Sequence, residues 1–199
     1  MSKPLKFIHI TKTAGTSIED AGRKKGIQWG RHHREYGYWH TIFPNIKKSV
    51  IDSYDWFMVV RNPYDRILSE YHCRWGGVGA SRHIRHTKEE MNRYLINKIT
   101  NVKNMTSARI SGNHYTEQFR YLHPTVSIHV LKFENLSEEF SNLMSLYTIE
   151  GITLPHSNAN AKKFRVSDFS KELIDLINEV YAKDFELFGF TMNLPEDTV

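Results

Sequence analysis

Apolar and polar positions along this chain switch repeatedly between a strand-like and a helix-like period. Leu5 to Ile10 is an apolar stretch interrupted only by Lys6 and His9, and it reads as a buried strand. Thr16 to about Lys25 then reads as a helix ending near Gly26. Tyr54 to Arg61, YDWFMVVR, has the aromatic and β-branched run of a central strand. Pro63 follows in the first turn of a new helix, where its missing N–H costs little, and that helix is expected to run through YDRILSEYHCRW. Gly76, Gly77 and Gly79 loosen the backbone of GGVGASRHIRH and predict a mobile loop. Further along, a helix is expected over roughly Lys88 to Ile99 and a strand over Val126 to Lys132. Ser137 is expected to cap the next helix, with Glu138 and Glu139 in its first turn. The last long helix, Ser170 to Phe185, carries Leu173, Ile177, Val180 and Tyr181 on one face.

Strands alternating with helices predict an α/β fold of three layers, with a central, mostly parallel sheet flanked by helices. The chain has 199 residues, enough for one domain, 1–199, with a substantial core. It shows no internal repeat and no low-complexity tract. A hydrophobic content of 40% argues against disorder. No apolar run approaches the roughly 20 residues of a membrane span. Lys3 and Lys6 flank too short an apolar stretch for a signal peptide, so a cytoplasmic or otherwise soluble protein is expected. Cys73 stands alone and cannot form an internal disulfide, which fits a reducing compartment or a disulfide-free design.

Charge changes this picture more than composition does. Residues 1–86 hold 15 Lys and Arg against 7 Asp and Glu, whereas the remainder holds 12 against 15. Seven of the 11 histidines also fall in the first stretch. The N-terminal half therefore faces anions: a phosphorylated cofactor, a polyanionic sugar or nucleic acid.

Two loops at expected strand ends could hold such anions, since ligands in α/β sheets bind beyond the carboxyl ends of the strands. The first is TKTAGTS. Strand, small-residue turn and helix is an arrangement that cradles phosphate, which makes the expected fold P-loop-like, yet G-x-x-x-x-G-K-[ST] is absent and the lysine precedes the glycine. Ala14 and Gly15 let the backbone approach an anion, and the N–H groups of Gly15, Thr16 and Ser17 would face it at a helix N-terminus. Lys12 adds a charge; the alternative for Thr16 is a simple cap. Alanine at position 14 should be tolerated only with a negative φ. The second loop is VVRNPYDRILSEY. Arg61 at the end of a buried strand needs a partner, and either an anion or Asp65 could provide it. Ser69, two turns into the next helix, could share the anion. Arg66 reads as a surface or helix-packing arginine.

FIHITKTAGTS resembles the 5′-phosphosulfate loop of sulfotransferases that use 3′-phosphoadenosine 5′-phosphosulfate, and RNPYDRILSEY resembles their 3′-phosphate motif, R-x-P-x-x-R-x-x-S-x-Y. The carbohydrate enzymes of the heparan uronyl 2-O and chondroitin type are the most similar group, and FENL and VYAKDFELFGF are similar to segments that recur there. The resemblance spans Phe7 to Phe190. It implies that Lys12, Thr13, Ala14, Gly15, Thr16 and Ser17 hold the 5′-phosphosulfate, and that Arg61 and Ser69 hold the 3′-phosphate. Lys162 and Lys163, in HSNANAKKF, could close over the donor phosphates. The expected function is transfer of a sulfuryl group to a hydroxyl, with adenosine 3′,5′-bisphosphate as product and no metal required.

Such a reaction needs a base for the acceptor proton and a cation for the leaving oxygen. Lys12 suits the leaving oxygen. GRHHREYGYWHTIF offers His32, His33 and His40. The uronyl 2-O group carries a histidine at a similar distance before its 3′-phosphate arginine, which points to His40 as base, with His33 in reserve. Glu19 is expected to face solvent or a neighbouring lysine. SGNHYTEQFRYL resembles the family segment bordering the acceptor, so His114 and Gln118, at i and i+4, could share a helical face and orient sugar hydroxyls. Arg31, Arg34, Arg82 and Arg85 could attract an anionic polymer. The acceptor is therefore expected to be a carbohydrate or polyanionic sugar, with no nucleic-acid partner. Two other classes fit parts of the sequence. A P-loop kinase would need its lysine after the glycine, and a non-catalytic polyanion binder explains the charge but not two ordered loops.

Overall fold

The computed structural model describes residues 3–30, 40–79, 84–105, 113–154 and 162–193. Along the chain the main elements are β1 (Leu5–Ile8), α1 (Gly15–Lys24), β2 (Asp55–Val60), α2 (Pro63–Tyr71), α3 (Lys88–Lys103), β3 (Ile128–Lys132), α4 (Leu136–Leu146), α5 (Lys171–Val180) and α6 (Ala182–Phe188). His33 and the arginines at 31, 34 and 82 lie outside the described residues. The chain gathers into two compact units, Met1–Arg61 with Arg120–Ser157, and Asn62–Phe119 with Asn158–Val199.

The first unit is built on a parallel sheet of order β1-β2-β3, flanked by helices. Leu5 pairs with Asp55 and Ile8 with Met58; Trp56 pairs with Ile128 and Val60 with Lys132. β2 is the middle strand, and its last five residues are all buried, which is why it reads as an unbroken apolar run rather than an alternation. Phe7, Phe57 and Val59 share a core with Ile18 and Ala21 of α1 and with Phe140, Leu143 and Met144 of α4. Trp29 completes it, edge-on to both Phe57 and Phe140.

Ser137 is not the cap of α4. The helix starts at Leu136 after a 3-10 turn, Phe133–Asn135, and Asn135 makes no side-chain cap bond. Instead the Glu139 carboxylate reaches back from the first turn to accept the Lys132 N–H at 2.6 Å.

The second unit is helical. Asn62 caps α2 by accepting the Tyr64 N–H, with Pro63 at the first helical position as the sequence requires. α3 runs a turn further than expected and starts at a reciprocal Thr87–Glu90 capping box. Its buried Met91, Leu95, Ile99 and Val102 share a core with Leu173, Ile174 and Ile177 of α5. The expected last helix is two helices. α5 is capped by Ser170 and ends at Tyr181, whose hydroxyl donates to the Tyr115 carbonyl at 2.6 Å; α6 then runs to a left-handed Gly189. Gly76 and Gly77 are not loosening residues. A Cβ on Gly77 would stand 2.0 Å from the Glu70 carbonyl oxygen, so glycine is required there by close packing of backbone on backbone.

Three side chains of this unit lock the segment 114–119. Arg66, 1% exposed, donates to the carbonyls of His114 (3.0 Å) and Thr116 (2.8 Å), so it is a packing arginine and not a surface one. Tyr181 holds Tyr115. Asp184, fully buried on α6, accepts the backbone N–H groups of Gln118 (2.9 Å) and Phe119 (2.8 Å). Burial pushes the Asp184 carboxyl up to about 6, against the downward pull of those hydrogen bonds and of Arg66.

This has a measurable sign. Between the ordinary carboxylate range and pH 6 the folded chain keeps a proton that the unfolded chain has released. The group therefore favours folding at pH 4 and loses that contribution as pH rises through about 6. Urea unfolding from pH 4 to 7 should show the stability difference between wild type and Asp184→Asn shrinking by roughly 2 kcal/mol, since each tenfold change in proton affinity is worth about 1.4 kcal/mol and the unfolded group is already partly ionised at pH 4. A difference independent of pH would refute the assignment.

Candidate functional site

The parallel pairing of β1 with β2 ends both strands at the same edge, and the first unit's polar groups collect there. The chain leaves β1 through Lys12 and Ala14, both with positive φ, 63° and 66°. The expectation that alanine at 14 requires a negative φ is thus overturned. Ala14 takes the left-handed conformation, at φ 66° and ψ 13°, and serves as N-cap of α1. Left-handed residues in so short a turn let successive backbone N–H groups converge on one point. α1 begins at Gly15, one residue earlier than its sequence pattern suggests, and no side chain caps it. The N–H groups of Gly15, Thr16 and Ser17 therefore form the open end of the helix, where the dipole favours an anion. Thr16 is exposed and does not act as the cap. Thr13 is buried, and its hydroxyl donates to the Ile10 carbonyl at 3.0 Å, which braces the turn from beneath.

Arg61 follows the last residue of β2. Its Nη1 donates to the Lys12 carbonyl at 3.3 Å, and its guanidinium lies over the Phe133 ring at 4.0 Å. The arginine is thus tied to the loop that carries Lys12, and two cationic residues share the edge where α1 opens.

His40 belongs to the same unit. Its Nδ1 is 3.0 Å from the His9 carbonyl oxygen, and its own carbonyl accepts from the Tyr121 hydroxyl at 3.3 Å. A carbonyl only accepts, so Nδ1 carries the hydrogen and the neutral ring keeps its lone pair on Nε2. This is the tautomer that a proton acceptor needs.

His9, which no motif singles out, joins the pieces. Its ring is edge-on to that of His40, with centroids 4.9 Å apart. It also lies against the first residue of α1: a Cβ on Gly15 would stand 2.1 Å from His9 Nε2. Gly15 is therefore fixed by the histidine ring as well as by any ligand. Glu19, one turn along α1, is 8% exposed with its carboxylate 3.8 Å from His9 Nδ1, so it faces inward and not toward solvent. The GTSIED stretch gives no sign of this, because a buried glutamate and a solvated one look alike in a polar run.

The remaining candidates lie in the second unit. Ser69 is half-buried on α2. Lys163 donates to the carbonyls of Ile84 (3.1 Å) and His86 (2.7 Å), which employs its ammonium in holding that segment; Lys162 is half-buried beside it. His114 and Gln118 do not share a helix. His114 sits in a turn and Gln118 opens a 3-10 turn, Gln118–Tyr121. Gln118 is fully buried, and its side-chain amide joins its backbone N–H on Asp184. His114 is more exposed, and its Nδ1 meets Glu70 at 2.8 Å. Among the described residues no helix is long and apolar enough to cross a membrane.

A family model described as "Sulfotransferase family" matches residues 2–191. No curated protein matches the chain.

The left-handed Ala14 carries a steric cost that glycine would not. Ala14→Gly should raise stability by about 1 kcal/mol, the lower end of the usual penalty for a Cβ in that conformation. Urea denaturation measures it, and a destabilised Ala14→Gly variant would contradict the loop geometry.

Proposed function

The chain belongs to the sulfotransferase family, and we propose that it moves a sulfuryl group from 3′-phosphoadenosine 5′-phosphosulfate to a hydroxyl of a carbohydrate. The observation that carries this reading is the uncapped start of α1, with Lys12 in its approach and Arg61 hydrogen-bonded to the Lys12 carbonyl. An open helix end with two cations beside it suits a ligand rich in phosphate and sulfate oxygens. We read the P-loop-like strand–turn–helix as the donor loop and residues 1–199 as one sulfotransferase domain; a single family model running across both units supports the latter.

In this reading the N–H groups of Gly15, Thr16 and Ser17 bind the 5′-phosphosulfate, and Arg61 binds the 3′-phosphate, to which the motif also assigns Ser69. The donor supplies an electrophilic sulfur with a phosphate leaving group. His40 Nε2 takes the proton from the acceptor hydroxyl as its oxygen bonds to sulfur. The sulfur–oxygen bond to phosphate breaks, and the Lys12 ammonium stabilises the charge that develops on the departing oxygen. The hydrogen bond to the His9 carbonyl supports this role for His40, because it holds the lone pair on the reactive nitrogen and stabilises the imidazolium that forms.

Adenosine 3′,5′-bisphosphate should raise the melting temperature clearly more than ATP with magnesium, because ATP has no 3′-phosphate for Arg61. Ligand at a hundredfold excess over Kd stabilises by about 2.7 kcal/mol. Arg61→Ala should remove the preference, at a cost to binding of about 1.5–3 kcal/mol. Equal shifts with both ligands in wild type would sink the donor assignment.

His40→Ala should bind adenosine 3′,5′-bisphosphate nearly as wild type does, while turnover on a panel of desulfated polysaccharides falls by roughly 10²–10⁴. The rise of the wild-type rate with pH should vanish in this variant. If His33→Ala loses that limb and His40→Ala keeps it, the base is His33.

A further inference from the structure

The 3′-phosphate motif R-x-P-x-x-R-x-x-S-x-Y leaves open the position between its serine and its tyrosine. In this chain that position is Glu70, and it is 1% exposed. A carboxylate so deeply buried is costly unless a specific partner meets it. The partner is His114, whose Nδ1 lies 2.8 Å from Glu70 Oε1 on a ring that is 28% exposed. Gly76 keeps the place clear: a Cβ there would stand 2.0 Å from Glu70 Oε1 and 2.4 Å from His114 Nδ1. The backbone of His114 is gripped separately by Arg66, one turn before Glu70 on α2. One helical face thus holds His114 at both its carbonyl and its ring.

Packing alone does not call for this arrangement. An apolar residue would fill position 70 without the cost of desolvating a charge, and Glu70 Oε2 is buried with no hydrogen-bond partner among the described residues. What a carboxylate adds is direction. It only accepts, so it places the hydrogen of a neutral His114 on Nδ1 and leaves the lone pair on Nε2. An imidazole held this way accepts a hydrogen bond from a hydroxyl.

We propose that Glu70 is a positioning residue that fixes His114 in its Nδ1–H form, so that His114 Nε2 accepts a hydrogen bond from a hydroxyl of the sugar acceptor. The proposal rests on reading the segment around His114 as the acceptor side of a carbohydrate sulfotransferase.

Two measurements on the full chain test it. In the first, long-range ¹⁵N–¹H spectra, with the ring of residue 114 assigned through His114→Asn, report the tautomer. The Nδ1–H form should dominate in wild type and the Nε2–H form in Glu70→Ala. Glu70→Gln, which keeps the shape should the alanine variant fail to fold, should move the same way, because its amide can donate to Nδ1. In the second, kcat/KM toward chemically desulfated heparin should fall about tenfold or more in both variants, while Kd for adenosine 3′,5′-bisphosphate stays within about twofold. An Nε2–H ring in wild type would overturn the proposal. So would a tautomer switch with unchanged kcat/KM, or a loss of donor-product binding as large as the loss in kcat/KM. If wild type transfers nothing to any of the panel of desulfated polysaccharides, heparin included, the carbohydrate reading fails, and the spectra still decide whether Glu70 sets the ring.

Discussion

The parallel pairing of β1 with β2 is the constraint from which the first unit's chemistry follows. Because the two strands run the same way and end at the same edge, the loop leaving one and the arginine leaving the other emerge side by side. In antiparallel pairing Arg61 would sit at the far end of β1 and could not reach the Lys12 carbonyl. The buried run from Trp56 to Val60 keeps β2 in the middle of the sheet, and the middle position fixes the register on both sides. Hydrophobic burial in the strand thus sets where a guanidinium can stand.

Much of this was legible in the sequence because it depends on residue types with few alternative uses. An arginine closing a five-residue buried run, a lysine and glycine in a strand-to-helix turn, and a proline opening a helix are each readable alone. The alternation of strand and helix sufficed for a parallel sheet flanked by helices. The misreadings have a common origin in burial of polar groups, which no periodicity records. Glu19 reads as facing solvent or a neighbouring lysine, yet it points inward, and Arg66 reads equally as a surface or a helix-packing arginine until its burial decides for packing. His9 read only as an interruption in a strand, although it touches both His40 and the start of α1.

Helix ends were the other weak point, for a related reason. Leu173, Ile177, Tyr181 and Phe185 continue one apolar stripe across the junction of α5 and α6, so the pattern conceals the break. The helix breaks in the backbone of Tyr181, at φ −103° and ψ 18°, a residue whose hydroxyl is held by the Tyr115 carbonyl. Glycines misled in the opposite direction. Gly76 and Gly77 suggested freedom, whereas each marks a place where other atoms come too close for a side chain.

The contact between Gly15 and the His9 ring ties the first residue of α1 to one that follows β1, two positions that share no bond. The ring fills the space a side chain at 15 would need. Substitution at either position alone is therefore penalised, at 15 by collision and at 9 by an empty space beside the helix. Only a paired exchange, a smaller residue at 9 with a larger one at 15, preserves the volume. Where relatives of this chain keep glycine at 15 to admit a ligand, the ring at 9 should persist with it, and a phylogeny of the family would record the two as a single inherited character rather than two.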